Sequence, residues 1–405
     1  MANMNDYLSW RGDLTLGERP FNDVDALVLA CLSYLDLRGL VPGEDATGVT
    51  GPSPTRPSPS TASPVSIREA CEGFLARYGV EGTSAHVMSL ATLDATFVRL
   101  LGESERFGPL LLHDYTDVID EGRSLQFAAV QVDLPGGGVY VSYRGTDLSL
   151  VGWHEDFMLS FTVAQAQILA QGYLSRALGR SAKGAQVYVG GHSKGGNLAT
   201  YAAATLPDGQ ASRLTRVYSF DGPGMARELL PRGAHDVLGE RFVRIQPNFS
   251  VVGQIFDRGE EPRTYVQSGA DGLGQHDPTS WMLSRDGFVV AESLAPNAAV
   301  LGQAMDLWLE GVDLGERAEF TDELFSILSA GGATTLEEVA GSPQGLQKVL
   351  SAARSASEGT KNVVGRLVEA TVTQSAAAAR EGAVGFVREG AAGLVRSVVS
   401  RSRGH

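Results

Sequence analysis

A serine lies at the centre of residues 191–195, which read Gly-His-Ser-Lys-Gly. An apolar, strand-like stretch precedes this pattern directly, and a helix-forming stretch follows it. A serine on a sharp strand-to-helix turn has strained backbone angles and closely packed neighbours, so glycine is needed two residues away on either side. The bare pattern arises easily by chance in a chain with 49 glycines, but its strand and helix context makes it specific. The pattern predicts Ser193 as a covalent nucleophile.

A nucleophilic serine needs a general base, and a neutral histidine suits this role near neutral pH. After a turn of this kind the chain order is serine, acid, histidine, which leaves His235, His276 and His405. His405 ends the chain, and His235 falls in a helical stretch. His276 follows the last predicted strand in a glycine-rich loop, so we predict it as the base, with a purely structural loop histidine as the alternative. His192, beside the serine, is predicted to be a packing residue.

Three aspartates are candidates for the acid that orients the base. Asp221 ends the strand after the serine turn, whereas Asp257 lies further along, in a later loop. We favour Asp221 because the end of a core strand holds a carboxylate more rigidly than a loop does. Two alternatives stay open: Asp221 could cap a turn through its own side chain, or the site could lack an acid. Asp277 is less suitable, since its side chain diverges from that of its neighbour His276.

Acyl transfer also needs two hydrogen-bond donors aimed at the oxygen of the tetrahedral intermediate. The backbone N–H of Lys194 is one candidate. The second is Thr146, by backbone or hydroxyl, in the segment 141–147 with the sequence Val-Ser-Tyr-Arg-Gly-Thr-Asp. The side chain of Lys194 could attract an anionic substrate group or lower the pKa of a nearby acid. It could equally be a solvated lysine.

Strands that alternate with helices are predicted around these residues. Residues 125–134 and 139–143 are rich in β-branched and aromatic side chains and are separated by Pro-Gly-Gly-Gly, which predicts a hairpin. The elements predicted after the hairpin are a helix at 155–178, a strand at 186–189, a helix at 196–206, and strands at 216–220, 242–245 and 264–266. This alternation is typical of a mostly parallel sheet covered by helices on both faces.

Several of these segments together resemble a known family. Tyr-Arg-Gly-Thr at 143–146, Trp153 and Asp156, and the serine pattern resemble the class 3, fungal-type lipases. Lys194 and two further segments are closer still to the Mbeg-like family of bacterial lipase-like proteins; these segments are Ser-Phe-Asp-Gly-Pro-Gly at 219–224 and Gln-His-Asp-Pro at 275–278. The resemblance covers about residues 5–290 apart from an insertion, and it implies an α/β-hydrolase fold and a hydrolase activity without a defined substrate.

The chain departs from the class 3 pattern at the acid. Those lipases carry an aspartate after the strand that precedes the histidine loop. The matching stretch here, residues 247–253, offers Ser250 instead. The context of Asp221, Phe-Asp-Gly-Pro, resembles that of other lipases whose acid ends the strand after the serine turn.

Helical extensions are predicted on both sides of the hydrolase core. We assign residues 1–105 to a helical N-terminal region, 106–296 to the α/β-hydrolase core and 297–405 to a helical C-terminal extension. In the N-terminal region Asn22 is suited to cap a helix. Residues 42–64 are rich in Pro, Ser, Thr and Gly, and are predicted to be a disordered insertion because they cannot bury enough apolar surface.

The last segment, residues 361–405, has seven basic and three acidic residues. Its apolar residues could form one stripe on a helix, which predicts either peripheral contact with an anionic membrane surface or packing on the protein itself or a partner. A covering lid could come from residues 66–110 or from the part of the chain after 297.

Composition excludes some partners. The formal net charge of −14 argues against nucleic acid, since binding phosphates requires a basic face.

Cys31 and Cys71 lack metal-type spacing and are interpreted as free thiols of a reducing compartment. With no leader visible at the N-terminus, the predicted location is cytoplasmic, with membrane association through the basic tail left open. No metal motif or nucleotide fingerprint occurs, so no cofactor is predicted.

The favoured reading is a serine hydrolase that cleaves a small-molecule or lipid acyl ester through an acyl-enzyme. The alternative from another class is a hydrolase scaffold with degraded chemistry that serves as a binding or interaction module. An acyl transferase, which uses the same serine but excludes water, is a third reading.

Overall fold

The computed structural model describes most of the chain up to residue 299 and a few positions beyond it. The described residues are 2–43, 63–87, 91–120, 125–145, 158–160, 163–257, 261–296, 298–299, 321, 323 and 326–327. Most of the predicted insertion, the predicted oxyanion residue Thr146 and nearly all of the C-terminal extension, including its basic tail, lie outside them. The three-part division of the chain stays a prediction.

In this part of the chain, eight strands form one sheet whose order follows the sequence. The strands are β1 (Val65–Ser66), β2 (Leu111–Asp120), β3 (Leu125–Leu134), β4 (Gly138–Tyr143), β5 (Val187–His192), β6 (Leu214–Phe220), β7 (Phe242–Pro247) and β8 (Thr264–Val266). Pairings from β1 to β4 are antiparallel, and pairings from β4 to β8 are parallel. The predicted hairpin and the mostly parallel sheet are confirmed.

Helices cover both faces of this sheet. Their bounds are α1 (Met4–Arg11), α2 (Asp23–Leu32), α3 (Ile67–Gly82), α4 (Ala95–Glu103), α5 (Gln165–Arg180), α6 (Lys194–Ala204), α7 (Asp208–Ala211) and α8 (Ala234–Leu238). The N-terminal helices pack on one face, and α5 and α6 pack on the other. A mostly parallel sheet between two helical layers is the α/β-hydrolase architecture that the sequence predicts.

Strand β4 shows how one element serves both layers, because successive side chains of a strand point to opposite faces. On one face, the Tyr140 hydroxyl donates to the carbonyl of Ala26 at 2.9 Å, and the Ser142 hydroxyl donates to that of Leu29 at 2.9 Å, so β4 is tied to α2. On the other face, Tyr143 packs in the cluster built with α5 and α6. Strand β4 is therefore packed between two helical layers.

Helix α2 begins where its cap predicts. The Asn22 side chain accepts hydrogen bonds from the N–H groups of Val24 and Asp25, and the Asp25 carboxylate accepts from the Asn22 N–H, which forms a capping box. The buried Arg106 guanidinium binds both oxygens of Asp25, at 2.7 and 2.5 Å. These bonds fix the start of α2, and its buried residues pack against β4 and β5.

Two of the longer elements differ from the sequence prediction. Strand β2 was not predicted, because its pairing with β3 shifts register between His113 and Thr116 and its sequence carries histidine and aspartates. Asp114 adopts a φ of 55° at this irregularity, which breaks the two-residue periodicity that marks a strand. Helix α5 begins at Gln165 rather than near residue 155.

No helix among the described residues is both long enough and apolar enough to cross a membrane.

Candidate active site

Ser193 lies on the turn that joins β5 to α6, with a φ of 58° and a ψ of −130°. This backbone region is costly for a residue with a side chain. The turn is tight: a Cβ on Gly191 would lie 2.5 Å from the carbonyl oxygen of Tyr143, and one on Gly195 would meet the same oxygen. The two glycines of the motif are therefore required by close packing against the end of β4, as the sequence pattern predicts.

The sheet brings Asp221 beside Ser193. Strand β5 pairs with β6 in parallel, and His192 lies opposite Phe220 at the last paired position. The residue that follows each strand is then placed at the same edge of the sheet. Asp221 has a φ of 47°, and its N–H donates to the carbonyl of Ile245 on β7 at 2.8 Å, which fixes its backbone.

His276 links the serine and the aspartate. Its Nε2 lies 3.0 Å from the Ser193 Oγ, and its Nδ1 lies 2.6 Å from the Asp221 Oδ2. The exposed fractions are 2% for Ser193, 5% for His276 and 0% for Asp221. A carboxylate only accepts hydrogen bonds, so Nδ1 carries the imidazole proton and Nε2 accepts from the serine hydroxyl. The structure thus brings together the three residues predicted as nucleophile, base and acid.

Ser250 binds the second oxygen of the aspartate. Its hydroxyl donates to the Asp221 Oδ1 at 2.5 Å. Ser250 lies at the position where the class 3 lipase pattern has its acid. Both oxygens of Asp221 are therefore bound by side chains, which differs from the turn-capping alternative.

Asp257, the alternative acid, lies in a cluster of ions. It pairs with Arg244 at 3.0 Å and with Arg263, and all three side chains are buried. Arg244 also donates to the carbonyl of Gly253 at 2.7 Å. The carboxylate of Asp257 is engaged by arginines, and the Nδ1–H of His276 donates to Asp221 instead.

Of the other two histidines that follow Ser193, only His235 lies within the described residues, and it is engaged elsewhere. His235 lies on α8, and its Nε2 is 3.8 Å from Glu240, while His405 lies outside the described residues. Asp277, next to the base, binds Thr92 and Thr279 and not His276.

The predicted oxyanion residues are only partly within the described residues. Lys194 is the first residue of α6, with its side chain buried, and the N–H groups at a helix start favour nearby negative charge. Thr146 lies outside the described residues, but the chain leading to it is tightly placed. A Cβ on Gly145 would lie 2.6 Å from the His192 carbonyl oxygen, and Arg144 pairs with the buried Asp117 at 2.8 Å.

The loop that carries His276 is held from several sides. The Trp281 indole N–H donates to the Gln275 carbonyl at 2.8 Å, and the Gln275 side chain accepts from the N–H of Phe249 at 3.0 Å. The His192 ring, predicted to be a packing residue, is fully buried, and its Nε2 lies 2.8 Å from the His276 carbonyl oxygen. Burial, together with the nearby charge of protonated His276, lowers the pKa of His192 well below its ordinary value.

Sequence reasoning missed two contributors to this site. Ser250 was recognised only as the residue in place of an acid, and that substitution was the signal that could have found its role. Tyr34, whose hydroxyl lies 2.8 Å from the His192 Nδ1, stands 158 positions earlier in the chain. No local pattern marks Tyr34.

Within the described residues, no group of three or more histidine, cysteine or acidic side chains is arranged to hold a metal ion.

The sheet, its two helical layers and the Ser193 turn define an α/β-hydrolase fold. The sequence profile of the Mbeg1-like family matches residues 101–326, more than half of the 405 residues, so the chain belongs to the Mbeg1-like family. The resemblance predicted from the sequence is confirmed.

Solved lipase structures match the chain at low similarity. The Lip2 lipase from Yarrowia lipolytica is 13% identical with a TM-score of 0.32, and the match covers 69% of this chain and 87% of that one. A structure described as M37 lipase is 16% identical with a TM-score of 0.34, covering 58% and 70%. The extracellular lipase LipA from Serratia marcescens is 13% identical with a TM-score of 0.26, covering 56% and 40%. No curated protein sequence matches the chain.

Proposed function

We propose that this protein is a serine hydrolase that cleaves an acyl ester through an acyl-enzyme on Ser193. The observation that supports it is the buried line of hydrogen bonds from the Ser193 Oγ, through the imidazole of His276, to the carboxylate of Asp221. This is the arrangement that serine nucleophiles share on unrelated folds, where geometry and not sequence position defines the roles. On this proposal the Ser193 turn is a nucleophile elbow.

The proposed first half-reaction forms the acyl-enzyme. As the Ser193 Oγ attacks the ester carbonyl, the His276 Nε2 accepts the hydroxyl proton, and Asp221 stabilises the resulting imidazolium. The tetrahedral oxyanion is stabilised by the positive end of α6, by the backbone N–H of Lys194 and by Thr146. The imidazolium then donates its proton to the alkoxide oxygen as the C–O bond breaks, and the alcohol leaves.

The second half-reaction returns the enzyme to its starting state. His276 takes a proton from a water molecule, which attacks the acyl carbonyl and forms a second tetrahedral intermediate. Collapse of this intermediate breaks the bond to the Ser193 Oγ, which recovers its proton from His276. The carboxylic acid is released, and no cofactor takes part.

The proposed substrates are small-molecule or lipid acyl esters. A cytoplasmic location and peripheral membrane contact through residues 361–405 belong to the same proposal, and they rest on the sequence alone. The formal net charge of −14 argues against nucleic acid as a substrate, because binding phosphates requires a basic face.

Hydrolysis of p-nitrophenyl esters with acyl chains of increasing length tests the proposal. We expect turnover by the wild-type protein and a fall of at least about 1,000-fold in kcat for Ser193→Ala. Ser142→Ala is the matched control, because Ser142 is also buried but donates to the carbonyl of Leu29 on α2. Folded wild-type protein that turns over none of these esters would contradict the esterase assignment and favour a binding or interaction module.

A further inference from the structure

A second histidine lies against the base, outside the hydrogen-bonded line. The ring centroids of His192 and His276 are 4.6 Å apart, and the His192 Nε2 lies 2.8 Å from the backbone carbonyl oxygen of His276. A carbonyl oxygen only accepts, so Nε2 of His192 is the protonated nitrogen. The contact ties the end of β5 to the backbone of the base.

The other ring nitrogen of His192 is bound by Tyr34. With Nε2 protonated in a neutral ring, Nδ1 is an acceptor, and the Tyr34 hydroxyl at 2.8 Å donates to it. The same hydroxyl lies 3.3 Å from the His192 carbonyl oxygen, a longer and weaker contact. Tyr34 therefore selects the tautomer of His192 that can donate to His276.

Tyr34 is itself placed by the packing of α2. It follows the last turn of this helix and is completely buried. The helix is held at its start by the ion pair of Arg106 with Asp25. The packing of α2 thus places the Tyr34 hydroxyl beside the His192 ring.

The base needs such support because its own segment is short. His276 ends a single 3-10 turn, Gly272–His276, that includes two glycines. The two side-chain bonds of His276, at 3.0 and 2.6 Å, depend on where this backbone lies. Misplacement by about 1 Å costs catalysis on the order of 100-fold.

We propose that His192 is a positioning residue which anchors the backbone of His276, and that Tyr34 acts through it by fixing the His192 tautomer. This inference rests on the proposed function, in which His276 is the general base. The lowered pKa of His192 agrees with this role, because burial and the charge on protonated His276 keep the His192 ring neutral during the reaction.

Tyr34→Phe and Tyr140→Phe form a matched pair that tests the role of Tyr34. Each removes one buried hydroxyl from the layer around α2, but the Tyr140 hydroxyl donates to the carbonyl of Ala26 and not to His192. We expect Tyr34→Phe to lower kcat about tenfold with little change in KM, and Tyr140→Phe to keep wild-type kcat. Equal kcat values in the two variants would overturn the proposal.

Replacing His192 separates positioning from packing. His192→Gln keeps an N–H near the site of Nε2, whereas His192→Leu fills the space without a donor. We expect His192→Gln to retain about ten times more kcat than His192→Leu when both have wild-type thermal stability. Equal losses in the two variants would contradict anchoring by a hydrogen bond.

A proton NMR measurement reads the geometry without a substrate. The proton shared by the His276 Nδ1 and Asp221 should give a downfield signal, which we expect to broaden or shift in Tyr34→Phe and to persist unchanged in Tyr140→Phe. An unchanged signal in Tyr34→Phe contradicts the positioning role. This signal reports on positioning even if the protein hydrolyses no ester, so failure of the proposed function is distinguishable from failure of this inference.

Discussion

The loops after β6 and β7 begin at the same edge of the sheet, and each carries an aspartate, but the two carboxylates have different partners. Asp221, after β6, is bound by the neutral hydroxyl of Ser250 and by His276. Asp257, in the loop after β7, is held by Arg244 and Arg263. The positive charges of two arginines offset the negative potential of a carboxylate and occupy its oxygens, so that it would stabilise an imidazolium less. The comparison indicates that the partners of an acid, and not its presence alone, decide whether it can orient a base.

The loop after β7 still contributes to the site. It supplies Ser250, whose hydroxyl lies 2.5 Å from Asp221. The two loops therefore meet at one carboxylate: the first provides the acid and the second provides a donor to it. Substitutions in these loops should separate the two contributions, and their effects on activity are expected to decrease in the following order.

The largest effect is expected for Asp221→Asn. The amide is uncharged and can donate to Nδ1, which favours the wrong tautomer of His276 and leaves the imidazolium unstabilised. The kcat for a p-nitrophenyl ester should therefore fall by about 10,000-fold. Steady-state kinetics measure this loss. A fall of less than tenfold would show that Asp221 does not orient His276.

The next test moves the acid from one loop to the other. In Asp221→Ser combined with Ser250→Asp, a carboxylate from the second loop would lie next to the position that Asp221 leaves. We expect kcat of the double variant to exceed that of Asp221→Ser alone by about tenfold or more, since neighbouring substitutions couple. A double variant that is no more active than the single one would mean that only the end of β6 can hold the acid.

Ser250→Ala removes only the donor to the carboxylate. A hydrogen bond to a charged group contributes about 1.5–3 kcal/mol, and part of that loss should appear as a fall of about tenfold in kcat. Comparison with Ser142→Ala, a buried serine outside the site, controls for the loss of a buried hydroxyl. If both variants keep full activity, the hydrogen bond from Ser250 to Asp221 does not contribute to catalysis.

The smallest effect on activity is expected for Asp257→Asn, with kcat within about twofold of wild type. Stability should fall instead, because both arginines lose the Asp257 carboxylate and Arg244 is left with its longer contact to Glu261 at 3.5 Å. The expected cost is about 3–5 kcal/mol in the free energy of unfolding. Urea unfolding followed by circular dichroism measures this change. A loss of activity comparable to that of Asp221→Asn would remove the distinction between the two aspartates.

The fold could be predicted from the sequence where the local pattern agrees with the tertiary structure. Strands β3 to β8 are short apolar runs between turns, and α2 carries its own cap at Asn22. Strand β2 could not, since its irregularity at Asp114 breaks the periodicity.

The site residues that a short stretch of sequence marks could be predicted, and those placed by distant contacts could not. Ser193 is marked by its motif, and Asp221 and His276 follow from their positions after strands. The contact of Ser250 with Asp221 joins residues 29 positions apart, and that of Tyr34 with His192 spans 158. Such contacts depend on how α2 and the loops pack on the sheet, which no short stretch of sequence encodes.

The central claim is that Ser193 is a nucleophile activated by His276. A fluorophosphonate probe followed by peptide mapping in a mass spectrometer tests it directly, because the adduct forms only on an activated serine. We expect one adduct, on Ser193, that is absent in Ser193→Ala, strongly slowed in His276→Gln and unchanged in Ser142→Ala. Folded wild-type protein that forms no adduct, or forms it on another residue, would contradict the account.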